Sequence, residues 1–202
     1  MSASERENIL FIISGPSGSG KETIIRALLD GLADLKRIST YTTRSMRPGE
    51  EQGRPYNFIS DDEFDGHIES GEIFEHETVY GSYRYGSPRR ALDGDPDCDN
   101  IMELDPHGYR RMKEARSCPT VGIFLLIPDL ETLTQRIMAR HKEQDHEARL
   151  EAARTQIREA DDYDYLLMND DLDRCCLDAV KICETERIRR LGRMQQKQLL
   201  NG

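Results

Sequence analysis

The sequence predicts an α/β fold: a mostly parallel sheet flanked by helices, with an inserted lobe. Three observations predict it. A short apolar run, Phe11-Ile12-Ile13, leads through a glycine-rich segment into a helical pattern from Ile24 to Leu32. Strand and helix patterns alternate again from Ile101 to near Gln198. Within them, Thr120 to Ile127 is apolar throughout, as suits a central parallel strand buried on both faces. Between these stretches, residues from about 41 to 90 are aromatic and strand-rich and break the alternation.

Residues 1–7 are polar and expected to fray. The apolar run that follows reads as a buried strand and delivers Gly15-Pro16-Ser17-Gly18-Ser19-Gly20-Lys21, which fits the phosphate-loop pattern G-x-x-x-x-G-K-[ST] up to its last position. Glycines let backbone N–H groups curl around phosphate oxygens. The helix N-terminus adds positive potential, and the lysine reaches the transferred phosphate. A simple turn between strand and helix would need no lysine at that offset, so the fold expected is of the phosphate-loop NTPase type. At the last position, where the pattern has a hydroxyl for magnesium, this chain has Glu22, followed by Thr23. A carboxylate about 4 Å from a phosphate charge is repelled by roughly 4 kcal/mol at an effective dielectric of 20. Magnesium cancels that repulsion if Glu22 itself becomes a ligand.

Arg37 to Thr40 is expected as a second short strand, leading into a loop rich in turn formers that carries Arg44 and Arg47. Tyr56 to Ile59 reads as a strand, and Asp61 to Ser70 as a helix with Asp61 as N-cap candidate. Ile73 to Tyr80 is strand-like, with Glu75 and Glu77 on one face and Phe74, His76 and Thr78 on the other. Ile101 to Asp105 resembles a strand that delivers carboxylates at its C-terminal end. Two charged helical stretches, roughly 129–142 and 146–161, precede a last strand from Tyr165 to Met168 and a long final helix. The expected organisation is a core of residues 1–40 and 91–202 and a lobe of residues 41–90. The nucleotide site is expected at the C-terminal edge of the parallel strands.

Composition narrows the partners. The chain has 202 residues and a formal net charge of −10, which argues against nonspecific nucleic-acid or membrane binding. Five scattered cysteines form no C-x-x-C pair and fit reduced thiols in cytoplasm better than a disulfide framework or zinc site. No apolar stretch reads as a signal peptide or a membrane span, so a cytoplasmic protein is expected, acting as monomer or homodimer.

Taken in order, several segments together resemble the guanylate kinases over nearly the whole chain. They are the phosphate loop, Thr42-Thr43-Arg44 with Arg47-Pro48-Gly49-Glu50, Gly53 with Tyr56-Asn57-Phe58, Phe74-Glu75-His76, Tyr85-Gly86-Ser87 and Asn169-Asp170-Asp171-Leu172-Asp173. The resemblance implies a helical lid at about 129–160, ATP and GMP as substrates, ADP and GDP as products, and magnesium as cofactor. It implies that Arg44, Arg47, Tyr56 and Tyr85 grip the GMP phosphate, with Glu50 in the same loop. Glu75, Thr40 and Ser87 would read guanine, with Glu103 and Asp105 beside them. An ionised Glu75 accepts from the N1–H and N2–H₂ donors of guanine together, whereas adenine presents a lone pair at N1. Lys21, Arg136, Arg140 and Arg149 match the catalytic and lid cations.

Three departures stand out. Glu22 replaces a hydroxyl, Glu103 stands where the family usually has aspartate, and Arg84 separates two tyrosines that are normally adjacent, so Tyr83 and Tyr85 both compete for the phosphate. Two other readings stay open. One is a kinase of another phosphorylated metabolite resembling the ribose-bisphosphate kinases; the other is a non-catalytic guanylate-kinase-like module that binds a phosphorylated protein.

Overall fold

The computed structural model describes residues 8–79, 83–95, 97–140 and 146–201. Its frame is a five-stranded parallel sheet with β1 (Leu10–Ser14) at the centre, flanked by β7 (Asp99–Glu103) and β8 (Thr120–Leu126). The outer strands are β2 (Leu35–Arg37), beside β7, and β9 (Tyr165–Met168), beside β8. All five residues of β1 are buried. Because strand side chains alternate, Phe11 and Ile13 pack on one face of the sheet while Leu10 and Ile12 pack on the other. Each such side chain contributes about 1.5–3 kcal/mol by leaving water.

On the first face lie α1 (Lys21–Gly31), through Ile24, Ile25 and Leu28, and α7 (Leu172–Asn201), through Cys175, Ala179 and Cys183. On the second lies α4 (Pro106–Ala115), through Tyr109 and Met112. Gly122 in β8 is required there, because an added Cβ would sit 2.5 Å from the Tyr109 ring. The helices α5 (Leu130–Arg140) and α6 (His146–Arg158) form a small cluster of their own around Ile127, Leu133, Ile137 and Ala153.

A second sheet, ordered β4-β3-β6-β5, is built from β3 (Thr40–Thr42), β4 (Tyr56–Phe58), β5 (Ile73–Val79) and β6 (Tyr83–Pro88). β6 pairs antiparallel with both β3 and β5. The single strand expected from Arg37 to Thr40 is therefore two. Ile38 still donates to Ile101 of the first sheet at 2.9 Å, and from Thr40 the chain pairs with Tyr56 in the second. Sequence alternation runs smoothly across this change of sheet and does not mark it.

The helix α2 (Asp61–Glu69) covers the second sheet through buried Phe64. Its N-cap is Ser60 rather than Asp61: Ser60 and Glu63 form a reciprocal capping box that satisfies two orphan donors. Arg84, the extra residue between two tyrosines, points to the α2 side of β6. There it pairs with Asp65 at 2.7 Å and lies over the Phe64 ring at 4.3 Å. Strand alternation thereby sends Tyr83 and Tyr85 to the opposite side. The remaining short helix, α3 (Arg90–Asp93), leads back to the first sheet. Among the described residues no helix is long and apolar enough to cross a membrane, and all five cysteines are free thiols.

Candidate active site

The C-terminal ends of β1, β2 and β7 face the second sheet across one cleft of about 1420 Å³. A single small-molecule pocket spans roughly 300–1,000 Å³, so this cleft has room for two nucleotides. The segment after β1 forms its floor. Gly15, Gly18 and Gly20 all have positive φ, 141°, 85° and 97°. Two of them are also pressed by neighbours. A Cβ on Gly15 would lie 2.7 Å from the Leu125 carbonyl, and one on Gly20 would lie 2.5 Å from Asn169 Nδ2.

Gly18 packs against the Cβ of Arg136 on α5, at 3.2 Å from an added Cβ. Pro16 and Ser19 are buried within the loop rather than lining the cleft, and Ser19 N–H donates to the Pro16 carbonyl. Asn169 donates to the Ser19 carbonyl at 2.7 Å and so ties the loop to the end of β9. Lys21 opens α1 and donates to the Gly15 and Pro16 carbonyls at 2.6 and 3.0 Å, with Glu103 Oε1 3.5 Å away. Loop, lysine and helix N-terminus together form a cradle for a phosphate chain.

Glu22 lies in the first turn of α1, and both of its oxygens accept from one terminal nitrogen of Arg37, at 2.8 and 3.0 Å. The charge that the sequence left facing the cradle is therefore met by an arginine at the end of β2. Thr23 is exposed and also lines the cleft.

Across the cleft, the loop after β3 is organised by one ion pair. Arg44 is 6% exposed and donates from both terminal nitrogens to the two oxygens of Glu50, each at 2.7 Å. Glu50 also accepts from the Arg47 backbone N–H at 2.8 Å. Burial opposes ionisation of Glu50, but the Arg44 fork and the Arg47 N–H outweigh it and hold the carboxyl below its ordinary range. The Arg44 guanidinium lies 5.2 Å from the centres of the Tyr56 and Phe58 rings. Tyr56 and Tyr85 meet edge to face at 5.6 Å. Burial, then nearby Glu103, pushes the Tyr56 hydroxyl well above its ordinary value, so it remains a proton donor. Arg47, Tyr56 and Tyr85 all line the cleft; Tyr83 is 39% exposed and does not.

Deeper on this side, Glu75 is 5% exposed and accepts from the Ser87 hydroxyl at 2.9 Å. Burial pushes its carboxyl up, the Ser87 donor pulls it back, and Asp105 pushes it up again. Asp105 N-caps α4 by accepting from Gly108 N–H at 2.7 Å. Thr40 is buried at the edge of the same cleft. Buried carboxylate oxygens flanked by hydroxyls suit a flat ligand edge that presents N–H donors. Glu77 joins this group: its Oε2 lies 3.4 Å from His107 Nδ1, and burial and then Asp105 push its carboxyl up.

Arg149 reaches the cleft from α6, while Arg136 reaches the phosphate loop through its packing on Gly18. The side chain of Arg140, at the end of α5, lies outside the described residues. Two cleft residues, Glu77 and Arg37, were not among the expected site residues. Glu77 carried a signal, since it is two residues from Glu75 on one strand face. Arg37 carried none, because its partner lies 15 residues away; Asn169 stood in a segment resembling the family, but its partner, 150 residues away, left its contact with the loop unforeseen.

The guanylate kinase family model matches residues 7–186. The chain belongs to the guanylate kinase family. It is similar to the guanylate kinase of Coxiella burnetii, 35% identical over 196 residues that cover 94% of this chain and 92% of that protein. It is similar also to the guanylate kinase of Geobacter metallireducens, 38% identical over 192 residues, covering 92% of each. Among solved structures, the guanylate kinase of Anaplasma phagocytophilum superposes with a TM-score of 0.75 at 28% identity, covering 90% of this chain and 87% of that one.

Proposed function

We infer that this guanylate kinase family member transfers the γ-phosphate of ATP to GMP, giving ADP and GDP. The observation that carries the reading is the single cleft that places the phosphate cradle of Gly15 to Lys21 opposite Arg44, Arg47, Tyr56, Tyr85 and Glu75. Family membership favours it over a metabolite kinase. The intact glycines and Lys21 favour it over a non-catalytic binding module.

The geometry supports a division of labour. The backbone N–H groups of the loop and the Lys21 ammonium bind the β- and γ-phosphates of ATP. Arg44, already fixed by Glu50, binds the GMP phosphate with its remaining N–H groups, joined by Arg47 and the Tyr56 and Tyr85 hydroxyls. Glu75 accepts from guanine N1–H and N2–H₂, with Thr40, Ser87, Glu103 and Asp105 around the base and ribose. The GMP phosphate oxygen is the nucleophile, so no protein nucleophile is required; alignment and positive charge are. Arg136, Arg140 and Arg149, carried on the 129–160 lid, supply that charge as the lid meets the 41–90 lobe and excludes water.

The residues fit magnesium as the accompanying ion. Glu22 and Glu103 offer carboxylate oxygens at the cradle, and Glu22 keeps acceptor capacity beyond its Arg37 contact. Among the described residues no three His, Cys, Asp or Glu side chains form a ready-made cage, as suits an ion held largely by phosphates and water. When bound, it neutralises charge on the transferring phosphates. The net charge of −10 and the free thiols support a cytoplasmic enzyme, monomer or homodimer, without nucleic-acid or membrane partners. Incubation with γ-labelled ATP and GMP should place the label in GDP. Label released only as free phosphate would refute the reading.

A further inference from the structure

We propose that Arg37 is a positioning residue for the phosphate loop: by holding the Glu22 carboxylate it keeps an acidic side chain in the first turn of α1 compatible with a bound nucleotide triphosphate. The inference rests on the proposed ATP site. Glu22 stands where a phosphate loop ordinarily has a small hydroxyl, and it lines the cleft beside Lys21. An unmatched carboxylate there repels phosphate oxygens. Arg37 answers that charge from another element, bridging both Glu22 oxygens at 2.8 and 3.0 Å.

The contact is built rather than incidental. Arg37 is the last residue of β2 and pairs in register with Ile101, and the next residue, Ile38, is fixed to Ile101 by a 2.9 Å hydrogen bond. The Arg37 side chain is 13% exposed and that of Glu22 35%, so the pair is partly shielded from solvent. Arg26 also approaches Glu22, but at 3.8 Å and 73% exposed, and is a poor substitute. Arg37 thereby sets how strongly ATP binding depends on a divalent cation: with Glu22 matched internally, less of the neutralisation is left to the metal.

The test is titration calorimetry of ATP, in EDTA and in magnesium, with wild type, Arg37→Gln, Arg37→Lys, Glu22→Ser and the Glu22→Ser/Arg37→Gln double variant. Circular dichroism melting checks each fold. In EDTA, Arg37→Gln should weaken ATP binding about tenfold, and magnesium should recover most of that loss. The double variant should return to within about threefold of Glu22→Ser alone, and Arg37→Lys should stay within about threefold of wild type. A structural role alone would not be rescued by removing Glu22.

Equal EDTA affinities for wild type and Arg37→Gln would overturn the proposal. So would a loss that Glu22→Ser fails to restore, because Arg37 would then act on the nucleotide directly. If Arg37→Gln alone does not fold, the lysine and double variants decide by the same criteria. A wild type that binds ATP yet leaves GMP unphosphorylated would sink the proposed function while leaving the Arg37 comparison readable. A wild type that binds no ATP even with magnesium would overturn both.

Discussion

Replacing Glu75 by Gln changes one oxygen for an NH₂ group and should move activity and stability in opposite directions. Glu75 is 5% exposed and accepts from the Ser87 hydroxyl at 2.9 Å. On GMP binding, the carboxylate would accept two N–H donors of the base. Hydrogen bonds to a charged group contribute about 1.5–3 kcal/mol each. Glutamine loses the charge and sets its own N–H donors against those of guanine, so kcat/KM for GMP should fall at least tenfold and ATP affinity should hold.

Stability follows from the raised carboxyl. Burial, with Asp105 adding to it, lifts the folded value above the unfolded one, and Ser87 only partly opposes this. The folded state therefore holds the Glu75 proton more tightly. Stability linked to this group is present below the ordinary carboxylate pKa of about 4.3 and is lost as pH rises through the folded value. At pH 7 the ionised group costs stability that Glu75→Gln restores, so the variant should melt higher than wild type at pH 7, with the gap closing toward pH 4. Steady-state kinetics and melting at both pH values make the check. Unchanged GMP kinetics would refute the base-recognition role, and a variant that melts lower at pH 7 would refute the electrostatic argument.

Arg44→Ala and Arg47→Ala should each weaken GMP binding by calorimetry, with each charge-assisted contact worth roughly 1.5–3 kcal/mol. Arg44→Ala should also lower the melting temperature, because it strands the Glu50 carboxylate, whose side chain is 15% exposed; GMP affinity unaltered in both variants would make this loop ordinary surface. A bisubstrate analogue should shrink the radius of gyration by small-angle scattering as lid and lobe close. No contraction at saturation would count against closure.

Much of this arrangement was legible in the chain itself, for reasons that differ by element. The Thr120–Leu126 strand announced its interior place, beside the central strand, because a near-continuous apolar run suits a strand covered on both faces. The phosphate loop was legible because its glycines answer local backbone demands, such as the positive φ at Gly20. Glu75 was assigned to the cleft through the family resemblance of the segments around it; strand alternation alone reads it as an exposed strand carboxylate. What stayed hidden depends on contacts distant in sequence. The change of sheet at Ile38-Ser39 leaves no mark on local pattern. Arg84 looked like a disturbance of the phosphate grip, and its partners Asp65 and Phe64 belong to α2. Glu22 looked unmatched because Arg37 reaches it only through the pairing of β2 with β7.

The most direct test of the central claim is a competition assay: wild-type enzyme, γ-labelled ATP and magnesium with GMP, AMP and ribose 1,5-bisphosphate together, the labelled products separated by chromatography. A site that pairs a buried carboxylate with guanine donors should favour GMP by on the order of 10⁴-fold in kcat/KM, because AMP leaves Glu75 facing an acceptor. GDP as essentially the sole diphosphate formed from the acceptors is the predicted result. Comparable labelling of AMP and GMP, or phosphorylation of ribose 1,5-bisphosphate in preference to both, would contradict it.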